Sequence, residues 1–504
     1  MNWTNTSLAP YQGTLLRLRY GAGKMVVPNS PAVDYPAMDE LRPMTLLNAD
    51  LPDLMPYTGI DSTIVPPERA RPRMEVTAAS LLQAVDTPRP WEEEWIAFWR
   101  DHFSVFGFEQ QVGAFLPHWD RTVIRQCCWG NFQEMLEATA MHPAMLTYLN
   151  NRSSRAGSAN ENYARELFEL HTLGKDAYLN SLYAQWRSVP GAKDGKPQGY
   201  IDQDVYEAAR AFTGWSMENG AGIGGGQNLS KSGRFIYVAA WHDNYQKRVL
   251  ASEFEPFAAA MTDGKKVLRQ CATHPATAKH LSYKLVKRFI NDVPPPDLIN
   301  STAQVFVTQS QSPQQLELVF QHLVNQAAKI PLAQKQKAKR PMRLVASFSK
   351  AVNVPFVLGD GTVLGPLDSA GVPIYGWPSP DGPRDGLPWV ISSSYIRQRV
   401  NLMQGISENH WGTGEWNPFA GLPNKPSHQD LMTRWEPALF GQARPELSSA
   451  LLASQGIRSS MPITDIRQAR RLVGLLACSP SFQTEVILPT PEILKKLTRS
   501  QAST

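Results

Sequence analysis

Cysteine is scarce, with four in 504 residues: Cys127 and Cys128 are adjacent, Cys271 and Cys478 stand alone. That excludes a disulfide scaffold, and without a C-x-x-C there is no basis for a zinc ribbon or a thioredoxin-type centre. Buried, inert thiols are the reading this spacing favours. Long apolar runs are missing too. No stretch of about 18 consecutive apolar residues offers a membrane span. Met1 to Pro10 has no basic region followed by an apolar run, and there is no twin-arginine leader. The expectation is a cytoplasmic chain as written, or one exported with a partner that carries the signal. A dominant charge is also lacking. Fifty Lys plus Arg face 45 Asp plus Glu, and the net +5 is too dispersed to argue for nucleic acid. H-E-x-x-H, G-x-S-x-G, a Walker A loop and the kinase set are all absent, so zincin, α/β-hydrolase and nucleotide-dependent readings have no motif behind them.

What remains is globular: 42% apolar and 10% aromatic. The length suggests about three domains as a first expectation. Helix-period apolar positions run through 91–103, 115–128, 131–149, 160–173, 202–212, 265–290, 297–309, 314–327, 341–352, 391–404 and 465–477. Strand alternation is nearly absent, and 234–239 (R-F-I-Y-V-A) is the best candidate for a short strand. The glycines of 220–226 predict a flexible loop; it follows a helix and lacks the context of a phosphate cradle. Residues 353–389 hold seven Gly and seven Pro, which predicts a long connection that either carries function or packs Trp377 and Trp389 over a core. The fold expected is mainly α: a large helical domain with long Gly/Pro-rich loops and at most a minor short β element.

The densest polar stretch is Ser158 to Gly174. Ser158 with Glu161 three residues on reads as a capping box, and Gly174 as the helix stop. Glu161, Arg165 and Glu169 share one face at four-residue spacing, with Glu166 about 60° beyond and Tyr163, Leu167 and Leu170 as the core stripe. His171 falls on the apolar side, so it needs a partner from another segment or is a hydrogen-bonded core histidine. The acidic face is either a surface salt ladder or a buried carboxylate cluster with Arg165 as counter-charge. Three more polar points sit in apolar surroundings: Arg100-Asp101-His102, His242-Asp243, and His274-Pro275-Ala-Thr277, the last of which could serve only as a helix cap.

At this helix the sequence resembles a known bacterial family, domain of unknown function 1800 (DUF1800). The resemblance lies in N-E-N-Y-A-R-E-L-F-E-L-H-T-L-G (160–174), Tyr200-Ile-Asp-Gln-Asp204-Val and Glu207-Ala-Ala-Arg210-Ala-Phe-Thr213-Gly214-Trp215. Further blocks follow in order. They are Leu15 to Gly21, Phe98 to Phe103, His242-Asp243 with Lys247, His274 to Phe289 with Lys284 and Arg288, Lys339-Arg-Pro341, Gly376-Trp377-Pro378 through Asn401, and Leu476 to Gln483. The resemblance implies one family-wide helical unit over 1–504, with a core of about 15–484, in place of three domains. Two departures stand out: an insertion at 175–198, and Ile201 where the family usually has Thr. It implies no particular activity. It does suggest a partner, a phosphatase- or sulfatase-like protein of the neighbouring family DUF1501, which commonly bears an export signal.

Three readings of function follow. The first is a metal-dependent enzyme for oxidation or hydrolysis, with iron, manganese or zinc held between helices by His102, Glu161, Glu166, Glu169, Asp204 and His242. Glu166, His242, Asp243 and Arg165 would carry its chemistry, with Arg210 as a further counter-charge. The second is a non-catalytic partner or assembly factor, whose Glu161, Arg165, Glu169 and Arg210 pair with one another and whose Gly/Pro-rich loop is the contact surface. The third is a site for an anionic ligand where Arg17, Arg19, Arg165, Arg210 and Lys247 converge.

Overall fold

A computed structural model describes residues 7–26, 31–60, 62–386, 392–412 and 414–495. Helices dominate, and the strands are short and gathered in small sheets. The Pro90–His102 helix runs through the middle of the core. Trp95 and Trp99 on it are fully buried, and Trp95 packs against Trp129, Phe289 and Phe320 from three other segments. Among the described residues no helix is long and apolar enough to cross a membrane.

Two of the expected helices are each broken in two at a His-Pro step. The 131–149 stretch splits into Phe132–Met141 and Pro143–Tyr148, and 265–290 into Thr262–Thr273 and Pro275–Phe289. Proline has no N–H to continue the ladder, but it suits the first helical position. The preceding histidine caps the new helix in both cases: His142 Nδ1 accepts from Ala144 N–H at 3.1 Å, and His274 Nδ1 from Ala276 N–H at 3.0 Å. The central helix also starts later than the capping box predicts. Asn160, not Ser158, is its cap, because the Asn160 side chain accepts from Asn162 N–H at 2.9 Å. It is α-helical over Glu161–Glu166 and widens to a π-turn over Leu167–His171.

The β content exceeds the single strand anticipated. Leu15–Tyr20 is the middle of a three-stranded sheet, parallel to Leu358–Gly359 and antiparallel to Met38–Pro43. In it Leu16 and Leu18 are buried while Arg17 pairs with Asp39 on the outside, an alternation too short to stand out from the helical pattern. The anticipated strand exists as Phe235–Tyr237, paired antiparallel with Trp215–Met217. The glycine loop is instead a small hairpin, Gly222–Gly224 against Gln227–Asn228.

The Gly/Pro-rich segment is tied down at several points. Leu358–Gly359 joins the sheet, Leu364–Ser369 is a short helix, and the buried Tyr375 donates its hydroxyl to Asp120 Oδ1 at 2.7 Å. Trp377 is partly buried and donates to Asp381; Trp389 and Ile391 lie outside the described residues. Residues 175–198, expected as an insertion, form a chain of 3-10 turns whose Val189 and Ala192 pack with Ile201 in a small separate core. All four cysteines are free thiols: Cys128 and Cys271 are buried, Cys127 and Cys478 partly so. A single hydrophobic cluster extends from Leu8 to Leu494.

Candidate functional site

The residues anticipated for the site occupy separate places. One cluster lies between the Asp202–Ala211 helix and the chain after Phe235–Tyr237. Arg210 there grips Asp243 with two bonds, Nε to Oδ2 at 2.8 Å and Nη2 to Oδ1 at 3.0 Å, and also reaches Glu207. Burial pushes the Asp243 carboxyl up, but the Arg210 bonds outweigh it and hold the group below its ordinary value. His242 Nδ1 lies 2.9 Å from Thr213 O, and Nε2 lies 3.4 Å from Asp263. Lys247 also donates to Asp263, at 2.7 Å, and to the carbonyls of Asp243 and Tyr245. Every charge here has a partner, which is the pattern of a structural staple. Nearby, Asp204 is buried with both oxygens spent on backbone N–H groups, those of Ile201 and Leu250. Burial pushes its carboxyl up to about 6.

The acidic face of the central helix forms a second group, and it faces solvent. Glu161 and Arg165 make an exposed pair at 3.1 Å, Arg165 reaches Asp202 at 3.6 Å, and Glu169 pairs with Lys175 at 3.5 Å. Arg210 is not part of it. Glu166 differs from its neighbours. It is half-buried, and among the described residues neither a hydrogen bond nor an ion pair reaches its carboxylate. Burial first, then the charge of Glu169, pushes it up to about 7.

His102 stands in a third place, away from all of these carboxylates. Lys284 Nζ donates to its Nδ1 at 3.0 Å, and its Nε2 lies 3.1 Å from His171 O. An ammonium can only donate, so Nδ1 is the acceptor and Nε2 carries the proton given to the carbonyl. Burial, and then the Lys284 charge, holds the ring neutral by lowering its pKa well below the ordinary value. Phe98, Trp99 and Phe103 surround it. His171 is fully buried on the π-turn, and among the described residues neither of its ring nitrogens has a hydrogen-bond partner. Burial lowers it to about 3 and His280 to about 4. Lys284 itself is partly exposed, and burial lowers its ammonium to about 8 against the pull of Asp385, Asp101 and Asp381. Asp381 also raises Glu166, so its charge is felt on both sides. One turn further along the helix, Arg288 pairs with Glu94, Asp101 and Asp385, and Arg340 bonds the last two as well.

The six anticipated metal ligands are therefore not brought together. Among the described residues no group of three or more His, Cys, Asp or Glu is placed to hold a metal ion. Nor do the five cations proposed for an anion site converge: Arg17 and Arg19 pair with Asp39, Arg165 with Glu161, Arg210 with Asp243 and Lys247 with Asp263. What sequence reasoning missed is Lys284. Its signal was the four-residue step from His280 to Lys284 on the helix opened by H-P-A-T, which sets a basic face on a segment that otherwise reads as core.

Residues 24–484 match the family described as Protein of unknown function (DUF1800), and the chain belongs to that family. No curated protein and no solved structure matches it.

Proposed function

We propose that this member of the DUF1800 family is an enzyme whose reactive group is the Lys284 amine, acting on a carbonyl compound as nucleophile or base. Family membership supplies no activity, so the reading rests on one observation: a partly exposed lysine, lowered to about 8, bonded at 3.0 Å to a histidine held neutral. An amine of that kind is about one-tenth unprotonated at pH 7, far more than a free lysine side chain, as a catalytic lysine requires. His102 Nδ1 accepts one N–H whether Lys284 is ammonium or amine. The neutral amine keeps its lone pair for an incoming carbon or proton. As a nucleophile it would attack a carbonyl carbon, lose water and form an iminium. The unpartnered His171 ring and the π-turn that carries it support a site here, since such turns concentrate where function needs them.

The test is competitive amine labelling across pH, read by mass spectrometry at Lys284. Half-maximal reactivity near pH 8 is expected, against about 10.4 for a free lysine side chain. A midpoint near 10, or no reaction at any pH where the chain stays folded, overturns the proposal. A transition metal on the anticipated ligands finds no support in their placement. One metal per chain, lost in both Glu166→Ala and His242→Ala, would restore that reading. The partner reading needs a free Gly/Pro-rich surface, and Tyr375 and Asp385 bind much of that segment inward. Co-purification of a phosphatase-like protein would bring it back.

A further inference from the structure

The 175–198 insertion crosses the corner between the Thr262–Thr273 and Pro275–Phe289 helices and borders a half-open cavity of about 750 Å³. That lies within the roughly 300–1,000 Å³ of small-molecule sites. Its roof is preformed. His274, which caps the second helix through Nδ1, turns its Nε2 to Pro197 O at 2.9 Å and so fastens the insertion to the corner. Tyr200 N–H donates to Ala177 O and Gln198 N–H to Pro190 O, both at 2.9 Å, closing the two ends of the roof. Order of this kind lowers the entropy cost of binding.

The lining states what would fit. Leu173, Leu250 and Ile299 offer apolar surface for a ligand body. At the exposed rim stand Lys196, from the insertion, and Lys279, from the second helix, and neither has an ion pair among the described residues. Asp176 is the one acid in the lining. Burial lowers both His274 and His280, so neither adds charge at neutral pH. The lining is thus mainly apolar, interrupted by Gln198, Gln270 and Thr273, and net positive in charge.

We infer that this cavity binds a small amphipathic carboxylate: an apolar body against the floor, its carboxylate between Lys196 and Lys279. The site goes beyond the Lys284 chemistry and stands without it. His280, which lines the cavity, is one helical turn from Lys284, but Lys284 itself turns away to His102. Lys196 belongs to the insertion, so the pocket mouth is a property this chain gains from its extra segment.

Calorimetric titration of the full chain with decanoate, decanol and decyltrimethylammonium tests this. One saturable decanoate site is expected, at least roughly ten-fold tighter than for the cation, a difference of about 1.4 kcal/mol. The double variant Lys196→Glu/Lys279→Glu should lose roughly ten-fold or more in decanoate affinity, and Ala276→Trp, which fills the cavity, should lose binding altogether. Lys284→Met should bind as the wild type does, which separates this inference from the proposed chemistry. Equal affinity for anion and cation, no saturable decanoate site, or wild-type affinity in the charge-reversed variant overturns it. Both lysines are exposed, so charge reversal remains informative if Ala276→Trp fails to fold.

Discussion

Glu166 and Asp120 show how differently two carboxylates can be held. Asp120 is fully buried, yet it receives Arg100, Arg125 and the Tyr375 hydroxyl, and those bonds overcome burial to keep it ionised. Asp120→Asn should therefore cost about 3–5 kcal/mol in urea unfolding, because it takes the counter-charge from the buried Arg100, although Arg125 keeps Glu93. Glu161→Ala, which breaks an exposed pair, should stay within about 0.5 kcal/mol. Glu166 behaves in the opposite sense to Asp120. The folded chain holds its proton more tightly than the unfolded one, with a pKa near 7 against an ordinary 4.5. That contribution to stability is complete below pH 4.5 and is lost as pH rises through 7. Glu166→Gln should match the wild type at pH 4 and exceed it at pH 8, by about 1 kcal/mol once solvent screening is allowed for. The Glu161–Arg165 pair was legible from four-residue spacing alone. The Lys284–His102 bond was not, because it joins residues 182 apart in sequence and its effect on the lysine comes from packing.

The His-Pro steps link local sequence to the shape of the cavity. A helix cap of this type is worth about 1 kcal/mol, and His274 does double duty by holding Pro197. His274→Ala should lower stability by about that amount. Limited proteolysis should also cut within 175–198 faster than in the wild type, whereas His142→Ala, which caps the other step, should leave that rate unchanged. Apolar spacing locates these helices, but it carries them through the prolines, where the missing N–H forces the break. The π-turns at Asp120–Arg125 and Leu167–His171 leave no mark on a helical pattern. They add a residue to one turn, and only the neighbours that a side chain meets there can reward the change.

Contacts across the whole chain suggest that it unfolds as one body. Leu16 near the start pairs with Leu358, Tyr375 reaches Asp120, and one apolar cluster spans Leu8 to Leu494. We expect near- and far-ultraviolet circular dichroism to report a single coincident thermal transition, insertion included. Two separated transitions would divide the chain into independent units.

Composition and apolar period were enough to determine that the chain is mainly helical, where most helices lie and that its few cysteines form no scaffold, while the ordered motif blocks from Leu15 to Gln483 carried the family resemblance. Those properties are local or additive, so a linear reading can hold them. Tertiary structure alone decided which polar residues are spent and which are spare. Asp204, His242, Asp243 and Lys247 became staples because partners arrived from other segments to satisfy them. Lys284, His171 and Glu166 stood out for the converse reason: the fold removes water from them without supplying a full set of partners, and that balance of desolvation against pairing exists only once the chain has closed around them.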